Sequence, residues 1–214
     1  MENYENRVRV LYKILSKAYD LMDLIIFSNE NSNPRKGLAS KLPNDRLRVL
    51  DVCCGTGNSA IAIAKKNDSN TVIGIDLSSD MLKAARNKAI KNKFDNISFR
   101  EMNAAKTDFS NESFDVVTVS LALHEMPQEL IDLILTEIGR VLKPSGKLYI
   151  IDWDRPKHPI ASLVFAIFPT LFEPKVFKDF LKINWKQLLD KFAFKYLDTE
   201  RYTFTKLVIA IKSE

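Results

Sequence analysis

The sequence is poor in cysteine and histidine, with two of each among its 214 residues. The cysteines are adjacent, at positions 53 and 54, so they form neither a disulfide framework nor a set of zinc ligands. This pattern favours a reducing, cytoplasmic setting. No group of acidic, histidine and cysteine residues has the spacing of a metal site, so we expect no metal. The first residues also lack the charged and apolar segments of a secretory signal, which argues against export.

A long apolar run is missing as well. The strongest candidate, residues 159–172, is shorter than the roughly 20 residues that span a bilayer, and Pro169 interrupts it. We interpret it as core, a dimer face or a lid. Our hypothesis is that its aromatic residues, Phe165 and Phe168 among them, line a pocket for a small apolar or aromatic molecule. Peripheral membrane contact is possible on this pattern, and both a monomer and a homodimer remain open.

The chain has no strong excess of charge of either sign. The net charge of +5 comes from 32 basic and 27 acidic residues, and the lysines are scattered along the chain. This distribution is typical of a solvated surface and disfavours a nucleic-acid partner. A hydrophobic content of 46% in a chain of this length indicates one globular domain with a substantial core.

Hydrophobic periodicity predicts alternating strands and helices behind an N-terminal amphipathic helix. Strands are predicted at residues 47–52, 71–77, 96–101, 114–120 and 147–152, and helices at 8–27, 35–42, 59–66, 81–91, 127–142 and 174–192. Two further strand-like runs between residues 194 and 212 are too close together for a helical crossover, so we expect a hairpin. The fold class predicted is therefore α/β, with a doubly wound, mostly parallel, seven-stranded sheet and a C-terminal antiparallel hairpin.

Two of the six glycines follow the first predicted strand. That strand ends at Asp51-Val52, and Gly55 and Gly57 then open a helix-like segment. Glycine at these positions allows unusual backbone torsions and lets a ligand approach the main chain closely. The letters G-T-G-N-S-A also fit the dinucleotide fingerprint, so the glycines alone do not identify the ligand. Asp51 opposes a pyrophosphate at the helix N-terminus, whereas it suits the ammonium and sulfonium groups of S-adenosylmethionine.

Residues 49–57 resemble motif I of the class I S-adenosylmethionine-dependent methyltransferases, with Cys53 in place of the usual first glycine. Residues 72–82 resemble the second signature of that family. There the resemblance implies that Asp76 binds the ribose hydroxyls and that Met81 lies beside the adenine. The family has a Rossmann-like fold, which agrees with the predicted order of strands and helices.

Two more segments carry the resemblance. Residues 102–115 resemble the third signature, with Asn103 where the family has an adenine-binding aspartate, and residues 138–153 resemble an architectural R-V-L-K-P-G-G segment. The resemblance implies S-adenosylmethionine as the cofactor and S-adenosylhomocysteine as its product. The residues implied at the cofactor are Asp51, Cys53, Gly55, Thr56, Gly57, Asn58, Asp76, Leu77, Met81, Asn103, Ala104, Ser120 and Tyr19.

His124 lies in the loop after the fourth predicted strand, in the segment L-A-L-H-E-M-P. With an ordinary pKa of about 6.5 it could act as a general base, and the alternative is a structural role that holds this loop over the methionine end of the cofactor. Tyr19-Asp20 resembles the A-x-x-Y-D lid of the ubiquinone and menaquinone biosynthesis C-methyltransferases. The reaction implied is in-line methyl transfer from S-adenosylmethionine to a small apolar or aromatic acceptor, quinone-like or lipid-like.

We expect one domain over residues 1–214, with a helical lid at 1–46, a cofactor-binding core at 47–153, and acceptor-side helices and hairpin at 154–214. Three alternatives compete with a small-molecule methyltransferase. They are an RNA or protein methyltransferase, a non-catalytic partner subunit that binds S-adenosylmethionine, and a short-chain dehydrogenase. Tyr202 and Lys206 have the Y-x-x-x-K spacing of the last class but lie in a strand-like run instead of a helix.

Overall fold

The computed structural model describes residues 27, 33–159, 162–163, 165 and 174–213. The predicted helix at 8–27, apart from Phe27, lies outside the described residues, as do Tyr19 and Phe168. Backbone contacts divide the chain into two compact units, Met1–Asp108 and Phe109–Glu214.

The described part of the first unit alternates helices with parallel strands. Its elements are α1 (Pro34–Lys41), β1 (Arg48–Val52), α2 (Asn58–Lys66), β2 (Thr71–Asp76), α3 (Ser79–Lys91) and β3 (Ile97–Glu101). β2 lies between β1 and β3 and is parallel to both. Val49, Leu50 and Val52 in β1 are buried, as expected for a parallel strand that is covered on both faces.

Side-chain caps fix where two of these helices begin. The Asn33 side chain accepts from the backbone N–H of Arg35 at the start of α1, and the Ser78 side chain accepts from Met81 at the start of α3. Each cap satisfies a backbone N–H that the helix itself leaves without a partner. The N-cap of α2, by contrast, is Gly57, which has no side chain to offer.

The second unit contains a parallel strand pair followed by an antiparallel hairpin. Its elements are β4 (Phe114–Ser120), a 3₁₀ turn (Leu123–Glu125), α4 (Gln128–Val141), β5 (Leu142–Trp153), α5 (Pro174–Phe180), α6 (Trp185–Asp190), β6 (Phe194–Arg201) and β7 (Thr205–Lys212). β4 is parallel to β5, while β7 is antiparallel to both β5 and β6. The predicted C-terminal hairpin is confirmed.

The strands form a seven-stranded mixed sheet in the order β3-β2-β1-β4-β5-β7-β6. This order confirms the predicted fold class. Within the described ranges, no helix is long and apolar enough to cross a membrane.

Two predicted boundaries are wrong. The helix predicted over 174–192 is two helices, because the chain turns at residues 181–184 and the Asn184 side chain caps a new helix by accepting from Gln187. The fifth strand begins at Leu142 and not at residue 147. Phe114 pairs with Leu142 and Val116 with Lys147, so residues 143–146, which lie between the predicted helix and strand, form a bulge inside a longer strand.

Candidate functional site

The glycine turn of the first unit bends through left-handed backbone torsions. Cys53, Gly55 and Gly57 have φ angles of +54°, +53° and +80°. The turn is closed by a hydrogen bond from Gly57 N to Cys54 O at 2.8 Å, and Cys54 N donates to Ile75 O on β2 at 2.9 Å. Cys53 therefore adopts a conformation that favours glycine, which is the residue the methyltransferase motif has at this position.

The two glycines of the turn face different surroundings. A Cβ at Gly55 would meet no atom within 4 Å, so the backbone here borders open space. A Cβ at Gly57 would lie 2.9 Å from the Phe99 ring and 3.0 Å from the Ala85 Cβ. Gly55 thus leaves room for a ligand to approach, whereas Gly57 is required by packing inside the unit.

Asp51 is buried at the end of β1, with no exposed surface. Its Oδ2 accepts a hydrogen bond from Ala60 N at 3.1 Å, in the first turn of α2. A carboxylate at this end of a helix is stabilised by the helix dipole and by the backbone N–H group. Asp51 therefore holds the start of α2 against β1, in addition to the ligand role that we predict for it.

Asp76 links the glycine turn to the start of the next helix. Its Oδ2 accepts from Gly55 N at 2.8 Å and its Oδ1 from Ser78 N at 2.9 Å. Burial raises the pKa of this carboxyl, and the N–H groups of Ser78 and Gly55 act in the opposite direction. Asp76, the residue predicted to bind the ribose, is thus fixed directly against the open turn at Gly55.

The other predicted cofactor residues of this unit lie around the same turn and on the following elements. The Asn58 side chain accepts from Lys88 Nζ at 2.8 Å, and Asn103 Oδ1 accepts from Ala105 N at 2.8 Å. Thr56, Met81 and Ala104 are buried, while Cys53 and Leu77 are half-buried. Burial, with the nearby charges of Asp51 and Asp76, raises the pKa of the Cys54 thiol, which therefore stays protonated.

In the second unit, His124 lies against a buried carboxylate. Its Nδ1 is 2.8 Å from Asp152 Oδ1, although the alignment is that of an ion pair and not of a good hydrogen bond. Asp152 also accepts from the backbone N–H groups of Leu123 and Trp153. Asp152, at the end of β5, therefore holds the 3₁₀ turn in place.

The other ring nitrogen of His124 has two neighbours. Trp153 Nε1 lies 3.2 Å from Nε2, and Glu125 Oε1 lies 3.5 Å from it. Burial lowers the pKa of His124, but Asp152 and Glu125 raise it, to about 10 in balance. The two carboxylates thus favour the charged form of the imidazole. Trp153 Nε1 donates to Nε2 when that nitrogen is unprotonated, so the indole favours the neutral imidazole.

Aromatic rings surround this ion pair. The His124 ring makes edge contacts with Phe177 and Phe180, and Phe165 packs on Trp153 and Phe177 and stacks on Phe204. We call Trp153, Phe165, Phe177, Phe180 and Phe204 the aromatic cluster. These rings form a largely apolar, mostly buried environment around the imidazole. Ser120, predicted at the cofactor, ends β4 in the same unit and is half-buried.

Comparisons with known proteins decide the family. A model of the ubiE/COQ5 methyltransferase family matches residues 1–209. The chain is 33% identical over 199 residues to a demethylmenaquinone methyltransferase from Lactococcus lactis, covering 92% of this chain and 78% of that one. A second such enzyme, from Shouchella clausii, is 30% identical over 87% of this chain and 81% of its own length.

The chain belongs to the ubiE/COQ5 methyltransferase family. A solved structure of an S-adenosylmethionine-dependent methyltransferase from Aquifex aeolicus has the same fold, with a TM-score of 0.65 and 19% identity over 83% of this chain and 88% of that chain. The expected methyltransferase family, the enzyme class and the cofactor S-adenosylmethionine are therefore confirmed. The short-chain dehydrogenase and the non-catalytic partner subunit are set aside as alternatives.

The turn fits the cofactor of the ubiE/COQ5 family. Gly55 borders open space, as a backbone that a ligand approaches must, and the fixed carboxylate of Asp76 adjoins it. The geometry thus brings together Asp51, Gly55 and Asp76 of the predicted set, whereas Gly57 faces Phe99.

Two residues with clear structural roles were not found from the sequence. Asp152 lies at the end of a buried strand, as Asp51 and Asp76 do, so its position at a strand end was a usable signal. Arg35 on α1 gave no signal. Its Nε donates to Ser59 Oγ on α2 at 3.2 Å, and this contact joins residues 24 positions apart.

Proposed function

We propose that the protein methylates the ring of a quinone-type acceptor, in its reduced hydroquinone form, with S-adenosylmethionine as the methyl donor. The observation that carries this proposal is the 33% identity, along 92% of the chain, to a protein named as a demethylmenaquinone methyltransferase. In the overall exchange a methyl group replaces a ring hydrogen, which leaves as a proton.

The first unit holds the cofactor in this proposal. S-adenosylmethionine supplies a methyl group on a positively charged sulfur. Gly55 gives the ligand access to the backbone, and Asp76 accepts hydrogen bonds from the ribose. Asp51 contributes negative charge at the start of α2. Asn103 and Met81 contact the adenine, the remaining predicted residues complete the site, and Tyr19 belongs to the proposed lid.

The second unit supplies the proposed acceptor site. Electron-rich rings stack on aromatic side chains, and the aromatic cluster places several such side chains beside His124. A pKa raised to about 10 favours the protonated form of His124 at neutral pH, so the imidazole is suited to stabilise negative charge on a hydroquinone oxygen and not to remove a proton. A hydroquinone ring carbon becomes a better nucleophile as its oxygen gains negative charge. We therefore propose His124 as the catalytic residue through electrostatic stabilisation of that charge.

We also propose the finer organisation of the chain from its sequence. Residues 1–46 form a lid, 47–153 the cofactor core, and 154–214 the acceptor-side helices and hairpin. The scarcity of cysteine leads us to propose a cytoplasmic protein. Because the proposed acceptor is apolar, we propose that this protein contacts the membrane peripherally. We propose that it is a monomer or a homodimer. RNA and protein acceptors are the alternative, and the modest net charge of +5 disfavours RNA.

The test is transfer of labelled methyl groups from S-adenosylmethionine to a water-soluble demethylated naphthoquinone. One reaction contains dithionite, which generates the hydroquinone, and a parallel reaction contains the oxidised quinone. We expect ring-methylated product, identified by mass, only in the reduced sample. The Asp76→Ala variant should form much less product in the same assay. Labelling of RNA or protein from a cell extract, with none of the hydroquinone, would refute the proposed acceptor.

A further inference from the structure

Helix α3 and the residues just after it gather basic side chains. Residues 81–94 contain four lysines and one arginine and no aspartate or glutamate, while Asp80 and Asp95 flank the stretch. Lys88 is half-buried and donates to Asn58 Oδ1 at 2.8 Å, so it contacts the start of α2. The other four basic residues are exposed, and they are Lys83, Arg86, Lys91 and Lys93. This stretch therefore presents positive charge to the solvent and attracts negatively charged surfaces.

The helical spacing places these cations around one apolar side chain. Lys83, Arg86 and Ile90 are three and four residues apart, so they share one face of α3, and Lys91 is next to Ile90. The inner face of the helix packs against β2 and β3 through its buried residues, which are Met81, Leu82, Ala85 and Ala89. Helix α3 thus has an apolar inner face and a basic outer face with an isoleucine among the cations.

Ile90 is the most exposed large apolar side chain of the described residues, with 75% of its surface exposed. A single exposed apolar residue is common in proteins and by itself indicates nothing. The neighbours of Ile90 on the outer face are cations, however, and this combination is typical of helices that lie on an anionic lipid surface. Ammonium groups reach the lipid phosphates on flexible stems, while the apolar side chain enters the boundary of the acyl chains.

The exposed cations of this face are not neutralised by acids. Lys83, Lys91 and Lys93 form no ion pair with a residue that the structure describes, in contrast to Lys143 and Lys182. Arg86 Nη2 donates to Phe99 O at 3.0 Å, which is a neutral acceptor and leaves the guanidinium charged. The positive charge of the outer face is therefore available to an anionic partner.

We infer that the outer face of α3 docks on an anionic lipid bilayer. We call this face the α3 surface, and its residues are Lys83, Arg86, Ile90, Lys91 and Lys93. The inference rests on the proposed apolar acceptor, which dissolves in a bilayer and not in water. The cations supply attraction to negatively charged headgroups, and Ile90 supplies apolar area that leaves water. Salt weakens only the first of these contributions, so experiments can separate them.

The test is co-sedimentation of the full chain with sucrose-loaded vesicles. One kind of vesicle contains phosphatidylcholine and phosphatidylglycerol, and the reference vesicle contains phosphatidylcholine alone. The variants are the double change Lys83→Gln with Lys91→Gln, which removes two charges, and Ile90→Ser, which keeps the charges and removes the apolar side chain. The double change Lys65→Gln with Lys66→Gln is the matched control, because it removes two exposed lysines from the end of α2 in the same unit.

We expect the wild type to bind the anionic vesicles more than about tenfold more tightly than the reference vesicles, and less tightly as salt is added. The Lys83 and Lys91 double variant should bind them roughly thirtyfold more weakly, at about fivefold for each cation near the surface. Ile90→Ser should lose roughly tenfold, because less apolar area leaves water. The control should stay within about twofold of the wild type, since charges away from the bilayer are screened.

Equal losses in the two lysine double variants would show a diffuse attraction to the whole unit and would overturn the inference. A loss in the Lys83 and Lys91 variant with none in Ile90→Ser would also overturn it, because a nucleic acid or an acidic protein uses the charges and not the isoleucine. Equal binding of the wild type to both kinds of vesicle would do the same.

The proposed reaction is tested separately from this surface. Methylation of the water-soluble naphthoquinone needs no bilayer, so the α3 variants should retain that activity. If the wild type methylates this acceptor but does not bind anionic vesicles, only the docking surface is refuted. If the wild type binds the vesicles but does not methylate the acceptor, the proposed function is refuted instead.

Discussion

Asp76 accepts a hydrogen bond from the backbone N–H of Gly55 at 2.8 Å, across 21 positions of sequence. The second oxygen of the same carboxylate accepts from Ser78 N, in the N-cap residue of α3. One side chain thus sets the position of the glycine turn relative to the end of β2. The residue predicted to bind ribose is also a structural tie, so its removal affects both binding and stability.

Asp76→Ala should weaken S-adenosylhomocysteine binding about ten- to a hundredfold, since hydrogen bonds to a charged group are lost. It should also lower the free energy of unfolding by about 1 to 3 kcal/mol, because two backbone N–H groups lose their acceptor. Calorimetry and urea unfolding measure the two effects. Asp80→Ala, on the exposed side of α3, is the control. Unchanged affinity in the Asp76 variant would contradict the ribose role.

Gly55→Ala and Gly57→Ala should separate ligand access from packing. The Cβ that Gly55→Ala adds enters open space, so this variant should fold with a cost of about 1 to 2 kcal/mol for the left-handed torsion and lose most of its cofactor affinity. The Cβ that Gly57→Ala adds would lie 2.9 Å from the Phe99 ring. This second variant should therefore be destabilised further, by about 1 to 3 kcal/mol of overpacking. The melting temperature measures the stability of the two variants, and calorimetry measures their cofactor affinity. If Gly55→Ala binds the cofactor as tightly as the wild type does, the ligand does not approach this backbone.

Cys53→Gly should stabilise the protein. Cys53 has a φ of +54°, which costs a residue with a Cβ about 1 kcal/mol relative to glycine. Cys53→Ala keeps the Cβ and hence the strain, so it is the matched control. Urea unfolding should show the glycine variant to be the more stable of the two. Equal stability would indicate that the turn is not strained at this residue.

The His124–Asp152 ion pair should give the protein a stability that depends on pH. The pKa of His124 is raised to about 10 in the folded state, against about 6.5 in the unfolded chain. A raised pKa means that the folded state binds the proton more tightly. The resulting stabilisation is full below about pH 6.5 and is lost progressively until about pH 10.

The measurement is the difference in free energy of unfolding between the wild type and His124→Gln across pH 6 to 10. This difference should shrink as the pH rises. Asp152→Asn removes the anion and should abolish most of the dependence, while Lys182→Gln, at an exposed pair, should retain it. A difference that stays constant with pH would show that His124 is neutral throughout and would restore the general-base role.

Phe165 tests the aromatic cluster as the acceptor site. Only 7% of its surface is exposed, and it packs on Phe177 and Phe204, so Phe165→Ala should cost about 3 to 5 kcal/mol of stability. Phe165→Leu keeps much of the volume and should fold, yet it should raise the KM for a hydroquinone acceptor. Phe194→Leu makes the same change at the buried start of β6 and serves as the control. If Phe165→Leu and Phe194→Leu have the same KM for the acceptor, the acceptor does not bind at the aromatic cluster.

The sequence by itself determined the order of the elements, the glycine turn and the acids at the strand ends. These features are local: periodicity, a Gly-x-Gly spacing and a carboxylate after an apolar run are readable along the chain. The predicted hairpin also followed from the number of residues between its two strands, because a short connection permits only antiparallel pairing.

Only the tertiary structure decided which of these residues face a ligand and which face the core. Gly55 and Gly57 are equivalent in the motif, yet Phe99, which lies on β3, occupies the space beside Gly57. Arg35 meets Ser59, and His124 meets Asp152, only because the chain returns over 24 and 28 positions to place them together. The charge state of His124 follows from that encounter, since a pKa depends on burial and on neighbouring charges that no local pattern records.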